Sequence, residues 1–443
     1  MSYAAAINQL NAMTPELHTR TGQARRKFSL DEVRALLGAL ENPHREFPSV
    51  LIAGTNGKGS TAATLASILT ASGLRTRLYT SPHLARPNER IRVDGAEIED
   101  DTFARLYFCV RDKAEQLVAD GKLPQVPSYF EVLTAQAFLD FAEERVDIAV
   151  LEVGMGGRLD ATNVVDPLLS LITDISLDHM EWLGSTITAI AREKAGILRR
   201  GGIMITLPQH PEANQVLGEV ATQLDVRVVN AAAYMPMAAA GATGPYFVQA
   251  LGEGVEVDSP LRGAHQHRNL ALAIASSVEL ANMHGLPVTP ASIAEGIRQT
   301  KWPGRLERIE RDGVRWILDV AHNPAGAWAL RAGLSSMLEE EKARALIFSC
   351  LRDKPVAEMA QILFPLFELV IVAPLHTARA AAVDDLLAAA ESTGTGAKVA
   401  ESVSAALQLA KESAQGGAAV ISGSAYLVGE ARTLLLSGRG EEE

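Results

Sequence analysis

The chain has 443 residues, with 41 Lys+Arg against 53 Asp+Glu, for a net charge of −12. At about 150 residues per domain, this length allows three domains or two large ones. The acidic balance argues against a broad nucleic-acid surface, which needs a basic footprint, and leaves room only for a local basic pocket. Hydrophobic residues at 47% and charged residues at 21% exclude disorder as the main state.

The N-terminal stretch MSYAAAINQLNAMTPELHTR lacks a basic region followed by an apolar core, so no export signal is expected. Residues 50–54 (VLIAG) read as a buried strand. Residues 60–72 (STAATLASILTAS) read as a small-residue helix closed by Gly73. Strands follow at 75–80, 146–153, 168–175 and 203–207; the run VDIAVLEV is apolar along almost its whole length, as strands covered on both faces are. Residues 228–252 carry no charge, but Pro236, Gly241, Gly244 and Pro245 break the run, so it reads as loop and short strand rather than a membrane span. Helices are expected at 267–284, stopped by Gly285-Leu286-Pro287, and at 291–300.

After the turn-rich joint Lys301-Trp302-Pro303-Gly304-Arg305 the alternation restarts. Strands are expected at 314–320, 345–348, 369–373 and 418–422, and helices at 326–338, 383–391 and 426–435. The final GRGEEE reads as a solvated tail. Strand–helix alternation in both parts predicts an α/β protein of two domains, 1–298 and 303–443, each with a mostly parallel sheet. Cys109 and Cys350 give no disulfide framework and suit a reducing cytoplasm.

The segment Gly54-Thr55-Asn56-Gly57-Lys58-Gly59-Ser60 lies between a strand and a helix. Glycines there let backbone N–H groups turn toward an anion, and the helix start adds its positive end. Lys58 offers a charge to β/γ-phosphates and Ser60 a hydroxyl to Mg2+. The strict GxxxxGK[ST] spacing is not met, because Ile52 and Gly59 stand at two of its fixed positions. The competing reading is a glycine-rich turn with Lys58 as a cap. Glu152, at the end of VDIAVLE, sits where a metal-holding carboxylate belongs in a nucleotide-binding sheet. A solvated loop acid is the alternative, weakened by Gly154-Met155-Gly156-Gly157 directly after it. Neither CxxC nor HExxH occurs, so a zinc enzyme is not expected.

GTNGKGS, SPHL (81–84), NERI (88–91), YFE (129–131), LEVGMGGRLDATN (151–163), LDH (177–179), EKAGI (193–197), HQHRN (265–269), PGR (303–305) and LDVAHNP (318–324) occur in that order. Together, across roughly residues 28–430, they resemble the folylpolyglutamate synthase family in its bifunctional form, which is also a dihydrofolate synthase. GTNGKGS alone would equally fit the related muropeptide ligases. The resemblance implies an N-terminal P-loop-type ATP-binding domain, a C-terminal Rossmann-like domain and a cleft between them. The implied chemistry is transfer of the ATP γ-phosphate to a substrate carboxylate, giving an acyl phosphate that the amino group of L-glutamate attacks. The implied acids are dihydropteroate and the γ-carboxylate of a reduced folate.

Site residues follow from the same resemblance. Lys58, with Asn56, Gly57, Gly59 and Ser60, holds the triphosphate. One Mg2+ is implied at Ser81, Glu152 and His179, and a second near Ser60 and Glu152. Lys194 matches a lysine that the family carbamylates; on its own it reads as an ordinary helix lysine. Phe130 matches an aromatic stacked on the pterin, although a core aromatic is the plain reading. Asp160 and Ala161 match a pterin-binding loop, and Phe28-Ser29-Leu30 a weaker pteroate contact. Asn269 is expected at the adenine edge, Arg305 and Asp319 at phosphates and ribose, and His322 at the transferred phosphate or glutamate. Ser422, Ser424 and Tyr426 resemble a loop near the glutamate. His267, Arg268 and Ser349-Cys350 depart from the family pattern. A monomer without nucleic-acid or membrane partners is expected. The rival readings are a muropeptide-type ligase, for which residues 1–51 are too short to form a UDP-sugar domain, and a nucleotide-binding protein without catalysis.

Overall fold

The apolar runs of the first half become strands of one sheet: β1 (Ser49–Ala53), β2 (Thr76–Tyr79), β3 (Ile91–Val93), β4 (Ala96–Glu97), β5 (Ile148–Glu152), β6 (Leu169–Ile172), β7 (Ile203–Thr206) and β8 (Arg227–Asn230). This computed structural model describes residues 2–13, 29–236, 244–337, 343–414 and 417–437. The strand order is β4-β3-β2-β5-β1-β6-β7-β8, parallel except for the β2–β3 and β3–β4 pairs. β1 lies between β5 and β6, with Leu51 opposite Leu151 and Val50 opposite Leu169.

Successive side chains of a strand point to opposite faces, and the sheet uses this to feed two cores. Leu51, Ala149 and Leu151 join the core beneath helices Asp31–Ala39, Asp100–Ala119 and Tyr129–Glu143. Val50, Ile52, Ile148 and Val150 join the other, beneath helices Lys58–Ala71, His265–His284 and Pro290–Gln299 and the hairpin β9 (Tyr246–Ala250) and β10 (Glu253–Val257). Helix Lys58–Ala71 is buried nearly all round, which explains its run of small residues. Ser67 Oγ donates to the Gly296 carbonyl at 2.6 Å, marking the close crossing of Pro290–Gln299.

The second sheet comprises β11 (Glu307–Arg311), β12 (Val314–Leu318), β13 (Ala343–Phe348), β14 (Leu369–Val372), β15 (Gly396–Val399) and β16 (Ala418–Ser422). Its order is β11-β12-β16-β13-β14-β15, parallel except for the β11–β12 hairpin. The α/β class with two mostly parallel sheets is therefore observed, and every strand expected from the sequence is present. The uncharged stretch forms part of β8, the short helix Ala231–Tyr234 and β9, while residues 237–243 and the expected tail at 438–443 lie outside the described residues. Cys109 and Cys350 are free thiols. Among the described residues no helix is long and apolar enough to cross a membrane.

The two sheets meet through the joint and through helix Ala425–Leu436. Trp302 packs beside Gly59 at the start of helix Lys58–Ala71 and lies under the Arg92 guanidinium, 5.4 Å from the ring centre. A Cβ on Gly429 would stand 1.9 Å from the Leu84 carbonyl oxygen of the first domain. Rigid backbone cannot turn aside as a side chain can, so Gly429→Ala should cost about 1–3 kcal/mol through overpacking. Thermal unfolding of the variant should show a lowered Tm; an unchanged Tm would refute this account of the domain contact.

Candidate active site

The phosphate loop is shaped by the strand beside it. Thr55 and Asn56 donate their backbone N–H groups to the Asp174 carbonyl, at 2.8 and 3.2 Å. Thr55 Oγ1 donates to the Ser176 carbonyl (3.0 Å), and Asn56 Nδ2 donates to Ser176 Oγ (3.1 Å). Gly57 holds φ at +88° directly before helix Lys58–Ala71, and a Cβ there would meet the Asn269 side chain at 2.1 Å. Both facts require glycine. Lys58 folds back, donating to the Gly54 and Thr55 carbonyls at 3.1 and 3.2 Å, with its ammonium 4.0 Å from Glu152.

Glu152 is 4% exposed at the end of β5. Burial pushes its carboxyl upward, opposed by Lys58, the Ser81 N–H, Arg305 and Arg90. Ser81 donates its backbone N–H to Glu152 at 3.3 Å. The loop carrying Ser81 is tied by Glu89, whose carboxylate accepts from the backbone of Leu84, Ala85 and Arg86. Arg90 donates to His83 Nδ1 (2.9 Å), and burial holds that imidazole neutral, pushed down to about 3. The SPHL and NERI segments therefore form one scaffold. His179 is likewise pushed down to about 3 by burial, against the pull of Asp178, and its Nδ1 is buried without a hydrogen-bond partner.

Among the described residues no three of His, Cys, Asp and Glu cluster as a ready-made metal site. Among the residues lining the cleft, Glu152 offers a carboxylate, His179 a neutral imidazole, and Ser60 and Ser81 hydroxyls; Asp174, Asp178, Asp319 and His322 line it as well. A desolvated carboxylate and an unpartnered imidazole nitrogen fit a divalent cation.

Lys194 is 4% exposed and donates to the Gly54 carbonyl at 2.6 Å, the oxygen that also receives Lys58. Burial first, and Lys58 second, lower its amine to about 7. Its helix is pressed against the GGRLDATN loop: a Cβ on Gly196 would stand 2.4 Å from Arg158 Cβ, and Arg158 N–H donates to the Glu193 carbonyl. Asp160 is occupied by its own loop, accepting from Met155 N (2.9 Å), Thr162 N (3.0 Å) and Thr162 Oγ1 (2.6 Å). Ala161 opens the short helix Ala161–Val164 that Asp160 caps. Phe130 is 3% exposed, tilted on Tyr79 at 5.9 Å and pressed against Gly154.

The second domain brings Arg305, Asp319 and His322 to the same cleft, of about 480 Å³, that Lys58, Glu152, His179 and Lys194 line. Arg305 donates to the Gly304 carbonyl at 3.0 Å; burial lowers its guanidinium, while Asp319 and Glu152 act the other way. Asp319 accepts from the Leu306 and Ala321 N–H groups, both at 2.9 Å, so it organises the joint as well as facing the cleft. His322 Nδ1 lies 2.9 Å from the Val320 carbonyl and its Nε2 3.5 Å from Asp178. Asn269 lines the cleft and donates to Gln266 at 2.8 Å.

The structure thus gathers Asn56, Gly57, Lys58, Gly59, Ser60, Ser81, Glu152, His179, Lys194, Asn269, Arg305, Asp319 and His322 around one cavity. Phe130, Asp160 and Ala161 do not line it; they stand behind Gly154 and the loop after it. Phe28 lies outside the described residues, and Leu30 lines a separate cavity with Arg34, His44, Arg158 and Arg199. Ser424 caps helix Ala425–Leu436, and Tyr426 is exposed. Arg268 forms a bidentate pair with Asp174 at 2.9 and 2.5 Å, which accounts for one departure from the family pattern. Asp178, Asn323 and Lys354 were not expected as site residues from the sequence.

Residues 52–277 match the Mur ligase middle domain, and residues 304–425 match the Mur ligase, glutamate ligase domain. Together with the cleft, these matches define the class: an ATP-dependent ligase of glutamate. A folylpolyglutamate synthase of Lacticaseibacillus casei is 34% identical over 99% of this chain and 100% of its own length. A dihydrofolate synthase/folylpolyglutamate synthase of Mycobacterium tuberculosis is 37% identical over 94% of this chain and 92% of its own. Among solved structures, Mycobacterium tuberculosis folylpolyglutamate synthase complexed with ADP and AMPPCP superposes with a TM-score of 0.87 at 34% identity, covering 98% of this chain and 99% of that one. Escherichia coli FolC in complex with DHPP and ADP gives 0.82 at 29% identity, covering 98% of each chain. The chain belongs to the folylpolyglutamate synthase/dihydrofolate synthase family. The muropeptide-ligase and non-catalytic readings are set aside.

Lys58 carries a positive charge to a loop otherwise built from backbone dipoles. Lys58→Ala should lower kcat by about 10²–10³, the loss expected for one electrostatic contact in a dry site, with the fold retained by circular dichroism. Near-parental turnover would remove the phosphate-loop assignment.

Proposed function

We propose that this ligase adds L-glutamate both to dihydropteroate and to the γ-carboxylate of reduced folates. The observation that carries this reading is the single cleft in which the phosphate loop of one domain faces Arg305 and His322 of the other. ATP phosphates and a substrate carboxylate repel each other, so joining them needs concentrated positive charge in a dry place. In this reading the Gly57–Ser60 backbone and Lys58 cradle the β- and γ-phosphates, and Arg305 meets them from the opposite wall. Asn269 reads the adenine edge, and Asp319 holds the joint in place beside the ribose. The substrate carboxylate attacks the γ-phosphorus, ADP leaves, and the glutamate amine displaces phosphate from the acyl phosphate. His322 is placed to contact the transferred phosphoryl group or the incoming glutamate.

Ser81, Glu152 and His179 would hold one Mg2+ and Ser60 with Glu152 a second; bound there, Mg2+ supplies Lewis-acid neutralisation of phosphate charge. The protein's own part is to keep Glu152 and His179 desolvated and aimed at the cleft. Phe130, Asp160 and Ala161 serve the pterin side through the loop they fix: Phe130 walls Gly154 from behind, and Asp160 ties residues 155–162 into one shape. We assign residues 1–298 to the ATP- and pteroate-binding domain and 303–443 to the glutamate side, in a cytoplasmic monomer. Phosphate release with purified protein, ATP, Mg2+ and L-glutamate tests the reading: both dihydropteroate and tetrahydrofolate should support turnover. Release with neither acid would refute it.

Asp160→Ala should raise KM for dihydropteroate about tenfold or more, since three loop hydrogen bonds go with it, while AMPPCP affinity changes little. Equal losses in both would contradict a pterin-side role.

The reading also includes carbamylation of Lys194. The carbamate forms when the neutral amine attacks CO2 and releases a proton, so the neutral fraction sets capture. With the folded amine lowered to about 7, that fraction rises as pH increases through 7, reaching about half there, where an unperturbed lysine would hold almost none. Carbamate occupancy, read by 13C NMR with labelled bicarbonate, should therefore climb between about pH 6 and 8. Lys194→Arg should be inactive despite its charge, because guanidinium does not take up CO2 here. Full activity of that variant would refute the modification.

A further inference from the structure

Asp178 lies in a loop of the first domain, yet its partners come largely from the second. Its Oδ1 accepts from Lys354 Nζ at 2.5 Å, and its Oδ2 accepts from Asn323 Nδ2 at 3.1 Å and faces His322 Nε2 at 3.5 Å. The backbone N–H of His179 closes the set by donating to Oδ1 at 2.8 Å. Lys354 is 7% exposed and does not line the cleft, so its ammonium is spent on this contact rather than offered to a ligand. Asn323 extends the chain of contacts in two directions. Its Nδ2 also donates to Asn56 Oδ1 in the phosphate loop (3.0 Å), and its Oδ1 accepts from Gly326 N (2.8 Å) in the first turn of helix Pro324–Met337.

We propose that Asp178 is a positioning residue: its carboxylate locks Lys354, Asn323 and His322 of the second domain onto the phosphate loop, and so fixes where His322 stands relative to the γ-phosphate. This deepens the reading above and rests on its placement of His322 and Asn56 at the reacting groups. A buried carboxylate with a buried ammonium is a costly pair to assemble, but one with a single good geometry. That makes it a locator. Domain contacts made only by apolar surface could slide by an ångström, and a shift of that size between reacting groups costs about a hundredfold in rate.

The test is a double-mutant cycle on kcat, run alongside AMPPCP binding and with Lys58→Ala as control. Asp178→Asn and Lys354→Met should each lower kcat by about ten- to a hundredfold. AMPPCP affinity should stay within about threefold of the parent, whereas Lys58→Ala should weaken it. Because the two residues act as one unit, the double variant should be no slower than the slower single one. Asp178→Asn leaves Lys354 buried without a counter-charge and can fail to fold; the double variant removes both charges and then decides the question. Parental kcat in the folded double variant, losses that multiply in the cycle, or AMPPCP affinity falling in step with kcat would each overturn the proposal. Intact AMPPCP binding in Lys58→Ala would instead count against the phosphate-loop reading.

Discussion

The pairing of β1 between β5 and β6 is the constraint from which the site follows. Parallel neighbours deliver their carboxyl ends to one edge of the sheet. There β1 ends in the phosphate loop, β5 ends in Glu152, and β6 runs on through Asp174 to Asp178 and His179. The continuation of β6 is stitched to the loop by Asp174 and Ser176, so the loop cannot relax without disturbing that edge. Slip of the register by one residue would also exchange the two cores, because Val50 and Leu51 face opposite sides. Packing that keeps the sheet in register thereby keeps the phosphate loop in place.

Concentrating charge at that edge creates a second constraint. Glu152, Asp160 and Asp319 are buried carboxylates pushed upward by desolvation, and Lys194 is a buried amine pushed down. Asp160 and Asp319 are compensated by backbone N–H groups, which makes them organisers of loops. Asp178 is different: burial acts to raise it, but His322, His179 and Lys354 hold it well below the usual carboxylate range. Glu152 accepts one backbone hydrogen bond, from Ser81, and otherwise faces the charges of Lys58, Arg305 and Arg90, while Lys194 donates to the Gly54 carbonyl. Both line the cleft and neither is tied up in holding a loop, which sets them apart from the acids that organise backbone.

What could be read from the sequence depended on how local each cause was. Strands covered on both faces are apolar along their length, and the phosphate loop needs only contiguous residues, so β1, β5 and GTNGKGS were legible. Helix Tyr129–Glu143 is buried nearly all round and shows no one-sided stripe, so the sequence marks only a helix start at Phe130 and not its length. β15 is exposed along its whole length, and its GAKV carries no strand signal. The hairpin β9–β10 alternates buried and exposed positions, and its first strand falls in the uncharged, turn-rich stretch that reads as loop and short strand. Phe130, whose plain reading is a core aromatic, is buried against Gly154, whereas the role of Asp160 as a loop tie shows only in the fold.

Asp178, Asn323 and Lys354 were harder still, because their partners lie 145 and 176 residues apart in the chain. Each has an ordinary local reading: an acid after a strand, an asparagine capping a helix, a lysine in a turn. Only the docking of the two domains gives the trio a common meaning. The same distance explains why a ligase would use it. The phosphate loop and the glutamate side belong to separate sheets with separate cores, so neither domain's packing fixes the other's position. Some contact must carry that information across. The apolar joint at Trp302 and the close approach of Gly429 to Leu84 limit the separation of the domains. Apolar contact is non-directional, however, and hydrogen bonds to a buried carboxylate are not. Orientation at the reacting groups therefore falls to the polar contact, placed next to His179 on one side and sharing Asn323 with the bond to Asn56 on the other.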